Sequence, residues 1–77
     1  MENIIEKSIY IENYGNVLLN ISIEKDNDGV YSAIILNLPG CGSCGETEQE
    51  AILNAQEAVS GVIEDYQENN ERVPWIE

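Results

Sequence analysis

LPGCGSCGETEQEA, residues 38–51, contains the boundary between the sheet and the helix of the predicted fold. Its Pro-Gly pair interrupts the apolar segment before it, because proline lacks a backbone N–H donor and glycine favours turns. Thr47 and Glu50 have the spacing of a capping box, in which two side chains satisfy free backbone N–H groups at a helix start. The stretch therefore predicts the end of one strand, a short strand over residues 41–45, and a helix beginning at Thr47.

Cys41 and Cys44 lie three positions apart in this stretch, a spacing that also occurs in redox dithiols and zinc sites. In an extended strand their α-carbons lie about 10 Å apart, with side chains on opposite faces, whereas a disulfide needs about 4.4–6.8 Å. The sequence has no histidine to complete a zinc site, and Glu46 opposes the positive field that activates a redox thiol. We predict that the cysteines are half-buried side chains of a strand. A dimer that pools four cysteines is the alternative.

Downstream of Thr47, apolar residues recur at steps of three and four, which predicts an amphipathic helix lying on a sheet. The apolar stripe consists of Ala51, Ile52, Ala55, Ala58, Val59, Val62, Ile63 and Tyr66. Glu46 and Glu48 are placed to interact with the positive end of the helix dipole. Asn69 and Asn70 are placed to end the helix, because asparagine tolerates the left-handed conformation that often follows one.

Upstream, two segments have the pattern of strands. VLLNISI, residues 17–23, alternates so that every second side chain faces one side, and VYSAIILNL, residues 30–38, is rich in strand-forming residues. The polar turn EKDNDG between them predicts an antiparallel hairpin. Residues 4–16 contain a shorter alternation that allows an extra strand, and RVPWIE at 72–77 predicts an extended segment that returns to the sheet edge.

The chain of 77 residues is long enough for one small domain with an aliphatic core. Fifteen acidic and three basic residues give a formal net charge of −12. This charge argues against binding to nucleic-acid phosphates or anionic membranes and favours a basic partner, although acidic surfaces also serve solubility alone. No apolar run approaches the ~18 residues of a membrane span, and the N-terminus lacks the basic start of a secretory signal. We therefore expect a cytoplasmic protein.

The sequence lacks the common catalytic patterns: it has no histidine, no Gly-rich phosphate loop, and no nucleophile with an obvious base beside it. Glu24, Asp26 and Asp28 imitate the first half of a calcium-binding loop. The second half is missing, because its twelfth position, where a glutamate is needed, is Ile35. We therefore predict no catalytic residue, no metal site and no cofactor, and treat these carboxylates as a candidate contact patch.

The ordered combination of these segments resembles the N-terminal domain of HicB-like antitoxins, a family that also includes small stand-alone proteins. The resemblance rests on IEKDNDGVYSA at 23–33, on LPGCGSCGETEQEA, on NAQEAV at 54–59 and on Pro74 after the helix. It implies a HicB-like domain over residues 17–77 and an N-terminal extension over residues 1–16. The implied fold is α+β: a three- to four-stranded, mainly antiparallel sheet with one helix packed on one face. Its order is β-β-β-α-β, a reduced ribonuclease H-like arrangement without catalytic carboxylates.

Family members of this kind bind a small basic toxin that cleaves mRNA, and they usually carry a C-terminal DNA-binding domain. The resemblance implies a non-enzymatic antitoxin acting by protein–protein contact, and because the chain ends at Glu77 we expect it to lack that second domain. Candidate partner-binding residues are Glu24, Asp26, Asp28, Tyr31 and Glu46. The alternative is a stand-alone homodimer or higher oligomer with a structural or regulatory role, formed by pairing of open edge strands. A residual metal-dependent nuclease is a weaker third hypothesis.

Overall fold

The computed structural model describes residues 3–76, which form a four-stranded antiparallel sheet and one helix. The strands are β1 (Asn3–Ile11), β2 (Gly15–Lys25), β3 (Tyr31–Ile35) and β4 (Gly42–Gly45), and the helix is α1 (Glu48–Glu68). The strand order in the sheet is β1-β2-β3-β4, so each strand pairs with its neighbours in the chain. The predicted α+β class, with one helix and a mainly antiparallel sheet, is confirmed.

The hydrophobic core lies between α1 and one face of the sheet. Ile21 of β2 lies opposite Ile35 of β3, and both side chains are buried beneath the helix. The fully buried residues of the predicted helical stripe are Ala51, Ala55, Val59 and Ile63. Since two of these are alanines, the first turns of α1 lie close to the sheet, while the larger residues fill the space near its C-terminal half.

The helix begins and ends at the predicted residues. Thr47 Oγ1 accepts the N–H of Glu50 at 3.0 Å, and Glu50 Oε1 accepts the N–H of Glu46 at 3.3 Å. The return bond therefore goes one residue further upstream than in the standard capping box. At the other end Asn69 is the C-cap, and Asn70 adopts a left-handed φ of 55°.

The third strand is shorter than predicted, because it ends at Ile35 and not at Leu38. Asn37 explains the difference. Its Oδ1 accepts the N–H of Asn20 at 3.0 Å, and its Nδ2 donates to the carbonyl of Leu18 at 2.9 Å. The side chain of Asn37 thus makes the hydrogen bonds to β2 that strand backbone would otherwise make. The backbone of this segment can therefore turn towards β4.

The segment before residue 17, for which the sequence allowed an extra strand, contains β1. Its nine residues pair with β2, from Asn3 opposite Ile23 to Ile11 opposite Gly15. β1 therefore forms one edge of the sheet and β4 the other. The division between an extension and a domain near residue 17 stays a prediction, and the first two residues of that extension lie outside the described part of the chain.

The tail after α1 forms no strand within residues 71–76. Trp75 Nε1 donates to the hydroxyl of Tyr14 at 2.7 Å, and the N–H of Ile76 donates to the carbonyl of Asn37 at 3.0 Å. The tail was expected to return to the sheet edge. Its backbone contact there is the single hydrogen bond from Ile76 to Asn37, beside the β3–β4 connection. Proline at the centre of the tail has no N–H with which to extend a ladder. The last residue of the predicted segment lies outside the described residues.

Candidate functional site

The predicted contact residues gather at one end of the sheet. Tyr31, the first residue of β3, lies opposite Gly45, the last residue of β4, so the β2–β3 turn and the start of α1 are side by side. Exposed carboxylates from both elements surround this end: Glu24, Asp26, Asp28, Glu46, Glu48 and Glu50. We call these six residues the acidic end. Among the described residues 3–76, Lys25 is the one basic side chain at this end of the sheet.

Asp26 builds the turn that presents its neighbours. Its Oδ1 accepts the N–H of Asp28 at 2.8 Å and the N–H of Val30 at 3.0 Å. Gly29 follows with a φ of +84°, a conformation that side-chain-bearing residues rarely adopt. The carboxylate of Asp26 therefore stabilises the turn, and the contact role expected of it stays a prediction.

Glu24 and Tyr31 lie on opposite sides of the sheet. Tyr31 is opposite Lys25, whose Nζ lies 5.6 Å from the centre of the tyrosine ring, and it packs against the core beneath α1. Glu24, one residue before Lys25, faces the other side because side chains alternate along a strand. The candidate residues thus lie at one end of the molecule but on both faces of the sheet. A partner that contacted all of them would need to contact both faces at this end.

Carboxylates of the acidic end divide into two groups. Those of Asp26 and Glu50 accept backbone N–H groups and are held in place. Within residues 3–76, the structure gives the exposed carboxylates of Glu24, Asp28, Glu46 and Glu48 no hydrogen-bond donor or ion-pair partner. These four remain available for a cationic partner.

A second acidic surface lies at the far end of the molecule and was not predicted. An open groove separates the β1–β2 turn from the C-terminal half of α1, and Gln67 bridges it by donating to the carbonyl of Asn13 at 2.9 Å. Exposed Glu12, Glu64 and Glu68 line this groove. The sequence did not reveal it, because the three carboxylates come together only when the hairpin turn meets the helix.

The sheet face opposite α1, which we call the outer face, carries most of the large apolar side chains that the fold leaves exposed. They are Ile4, Tyr10, Leu18, Ile34 and Leu36. The sequence pattern assigned Leu18, Asn20 and Ser22 to this side of β2 and Val17, Leu19, Ile21 and Ile23 to the other. Ile4 of β1, Ile34 of β3 and Leu36 after β3 could not be placed beside these residues without the strand register.

The two cysteines are free thiols with different surroundings. Cys41 is buried, and this burial raises the pKa of its thiol against a smaller lowering by the backbone N–H of Gly42. Cys44 lies on β4 and is exposed. The prediction of two half-buried cysteines was therefore wrong in detail, because the connection before β4 turns Cys41 into the core.

Metal and membrane sites find no support in the described geometry. Among residues 3–76, no three carboxylate or thiol side chains come close enough together to hold a metal ion. The helix found in this part of the chain is not apolar enough along its length to cross a membrane.

The chain matches a known family over most of its length. A model described as the HicB_like antitoxin of bacterial toxin-antitoxin systems matches residues 19–77. This match includes the acidic end, the Asn37 connection and all of α1, and it begins after β1 and the first residues of β2. The acidic end therefore belongs to the matched region, whereas the edge strand β1 lies upstream of it.

Individual relatives come from distant sources. A UPF0150 protein of Thermoplasma acidophilum is 41% identical over 54 residues, which are 70% of this chain and 78% of that protein. A UPF0150 protein of Synechocystis is also 41% identical over 54 residues, 70% of this chain and 68% of that one. An uncharacterised 14.9 kDa protein from the rep-hol intergenic region of Haemophilus phage HP1 is 48% identical over 58 residues. That similarity covers 75% of this chain but only 43% of the phage protein. No solved structure matches the chain.

Proposed function

The chain belongs to the HicB-like antitoxin family of bacterial toxin-antitoxin systems, and from this premise we propose that it neutralises a small basic mRNA-cleaving toxin by protein–protein contact. It acts as a binding module in the cytoplasm and performs no catalysis itself. Two features support the proposal together: the family match over residues 19–77 and the formal net charge of −12. A ribonuclease must attract phosphate, so its active surface is basic and is attracted to a strongly acidic protein.

The acidic end is the surface that we propose for this contact, and its arrangement is the observation that carries the proposal. Glu24, Asp28 and Glu46 are exposed and come from two adjacent elements. They can therefore form ion pairs with several phosphate-binding lysine or arginine side chains of a toxin at once. Asp26 holds the turn in shape, which limits the conformational entropy that binding removes. Tyr31 lies at the same end, on the sheet face that packs against α1.

Two charge-matched triple variants test this surface. The first, Glu24→Gln with Asp28→Asn and Glu46→Gln, removes three negative charges from the acidic end. The second, Glu12→Gln with Glu64→Gln and Glu68→Gln, removes three from the far groove, so the net charge of both variants is the same. The partner is sought among small basic proteins encoded in reading frames that adjoin the gene of this chain. Binding is measured by titration calorimetry, and protection by growth of cells that express both proteins.

We expect the first variant to bind at least about tenfold more weakly, and the second to retain most of its affinity. We also expect the affinity of the unmodified chain to fall as ionic strength rises, because the contact is between opposite charges. Equal losses in both variants would mean that only total charge matters. Failure of the neighbouring protein to bind at all, together with failure to restore growth, would overturn the antitoxin proposal.

A stand-alone homo-oligomer, either a homodimer or a larger assembly, is the second candidate. It is favoured by the open edge strand β1, whose nine residues leave one row of backbone groups without a neighbouring strand in the described chain. Light scattering at several protein concentrations tests this candidate independently of the first one, because a monomer at every concentration would remove it. The two candidates are compatible, since the acidic end is not part of β1.

A further inference from the structure

The outer face exposes large apolar side chains, and nothing within residues 3–76 covers them. Tyr10 is 70% exposed, Ile4 57% and Leu18 52%, and Ile34 and Leu36 are also exposed. An antiparallel sheet with one face in water ordinarily carries polar residues on that face. Exposed apolar residues that lie together on a soluble protein indicate a surface that binds another molecule.

The strand register joins these side chains into one band. Ile4 lies opposite Ser22, and Ser22 lies opposite Ile34, so a row crosses β1, β2 and β3. Leu36, two positions after Ile34, donates its N–H to β2 at a carbonyl two residues from Leu18. Directly opposite side chains lie about 5 Å apart and diagonal ones about 7–8 Å. The apolar band is therefore continuous from Ile4 to Leu18.

Two carboxylates lie beside this band, and their charge selects its occupant. The alternation of the strands assigns Glu6 and Glu24 to the outer face and assigns Lys7 and Lys25, the two lysines of the sheet, to the face that packs against α1. The carboxylates thus have no cation on their own face. An occupant that brings lysine or arginine to this face is attracted, whereas an acidic one is repelled.

A helix fits this face better than a strand does. β2 and β3 already have a neighbouring strand on each side, so a strand laid across the face would find no partner for its own N–H and C=O groups. A helix satisfies its backbone internally and presents one apolar stripe. The helix α1 packs in this way on the other face of the same sheet.

The separation of the two carboxylates sets the size of the helix. Glu6 lies opposite Asn20, and Glu24 is four residues further along β2. At about 3.3 Å per residue along the strand and about 5 Å between strands, their α-carbons are about 14 Å apart. A helix covers this distance in about nine residues. Lysine and arginine side chains that flank an apolar stripe can extend sideways to reach carboxylates at both positions.

We propose that the outer face binds an amphipathic basic helix of the partner protein, with the apolar stripe of that helix on the band and its cations paired with Glu6 and Glu24. This inference rests on the proposed function, because the helix belongs to the same basic partner whose cations meet the acidic end. Glu24 is part of both surfaces, so the outer face and the acidic end form one continuous interface. In the complex, the sheet lies between α1 and the helix of the partner.

The apolar part of this interface is tested with two leucines of similar exposure. Leu18→Ser removes an apolar contact from the outer face, and Leu53→Ser removes one from α1, where the leucine is 59% exposed. Neither substitution changes the net charge. The probe is the small basic protein that binds the unmodified chain in the calorimetry proposed above. We expect Leu18→Ser to weaken binding at least about tenfold and Leu53→Ser by less than about twofold, with circular dichroism showing that both variants are folded.

The electrostatic part is tested in the same titration with Glu6→Gln. Its control is Glu57→Gln, which removes the same charge from an exposed position on α1. Glu6 is outside the acidic end, so its effect is separate from that of the triple variants. We expect Glu6→Gln to weaken binding about threefold or more, and Glu57→Gln to leave the affinity nearly unchanged.

Synthetic peptides test the chemistry of the occupant without a toxin. One peptide of about 18 residues combines leucines at helical spacing with lysines, and its counterpart has glutamate in place of every lysine. Each is added to the isotope-labelled chain and followed by NMR. We expect the lysine peptide to shift the amide signals of Ile4, Leu18 and Ile34, and the glutamate peptide to leave them unchanged.

The outcomes separate this inference from the antitoxin proposal. If the basic protein binds but Leu18→Ser and Leu53→Ser have equal affinity for it, the inference is overturned and the antitoxin proposal stands. If no adjoining basic protein binds while the lysine peptide shifts the outer-face signals, the preference for a basic helix is supported and the antitoxin proposal fails. The inference is also overturned if both probes shift only signals of the acidic end. Outer-face signals that move with the concentration of the chain alone would overturn it as well, since a second copy would then be the occupant.

Discussion

Gly45 sets how closely β4 approaches α1. A Cβ added at this position would lie 2.7 Å from the backbone nitrogen of Ala51 and 2.9 Å from Cβ of Glu50, both shorter than van der Waals contact. The backbone of the helix start cannot move away without breaking the cap formed by Thr47. Gly61, in the middle of α1, has no atom within 4 Å of the equivalent position. The same substitution therefore has opposite effects at the two glycines.

We expect Gly45→Ala to lower the free energy of unfolding by about 1–3 kcal/mol, because the new methyl group overlaps backbone atoms. We expect Gly61→Ala to raise the same quantity by about 0.5–1 kcal/mol, because alanine loses less backbone entropy in a helix. Urea denaturation followed by circular dichroism measures both. A neutral Gly45→Ala would show that β4 can move away from the helix, contrary to the close approach described above.

Single residues also show where reasoning from the sequence was incomplete. The three hairpin acids were treated alike as contact residues, yet Asp26 accepts two backbone N–H groups and forms the turn. A signal for this role was present, because an aspartate two to three residues before a glycine commonly closes a turn through its side chain. Composition alone cannot separate a carboxylate that shapes a turn from one that meets a partner.

At the scale of elements, the sequence predicted the structures that depend on neighbouring residues and missed those that depend on contacts between residues far apart in the chain. The hairpin and α1 follow from alternation, a turn and a cap, all of which lie within a few residues of each other. The end of β3 depends on the contact of Asn37 with two residues of β2 that are 17 and 19 positions away. The tail similarly depends on Tyr14 and Asn37. Such contacts are fixed by the packed molecule, and no short pattern in the sequence encodes them.

Asn37 provides the test at this scale. Asn37→Asp keeps the size of the side chain but replaces the amide that donates to the carbonyl of Leu18 with an acceptor. We expect a loss of about 1 kcal/mol in the free energy of unfolding, at the lower end of the range because the site is partly exposed. Asn16→Asp, an exposed position on β2, is the charge-matched control. Equal losses in the two variants would assign the effect to charge and not to the hydrogen bonds.

At the scale of the whole molecule, the carboxylates at its two ends are close enough to repel each other at low salt concentration. The longest dimension is 41 Å, and the screening length falls from about 30 Å at 0.01 M salt to about 10 Å at 0.1 M. Carboxylates at the acidic end and in the far groove therefore repel one another at low salt and are largely screened from each other at 0.1 M. Two accumulations of negative charge at opposite ends of α1 make the stability of this fold depend on ionic strength.

We expect the melting temperature to rise by several degrees between these salt concentrations, because about 1 kcal/mol shifts a domain of this size by about 4–8 °C. Calorimetry at low protein concentration measures the effect without a contribution from self-association. Both triple variants, which have three fewer negative charges, are expected to show a smaller rise. A melting temperature independent of salt would mean that repulsion contributes little to the stability of the folded chain.

The hydrogen bond between Trp75 and Tyr14 joins residues 61 positions apart, and the bond between Gln67 and Asn13 spans 54. Contacts of such long range close large loops, and their entropy cost delays them until nearer contacts have formed. Hairpin β2–β3 and helix α1 can therefore form before the tail docks beside the first turn. Because Trp75 is the single tryptophan of the chain, its fluorescence follows the docking of the tail, which we place late in folding, while circular dichroism follows the earlier formation of the helix.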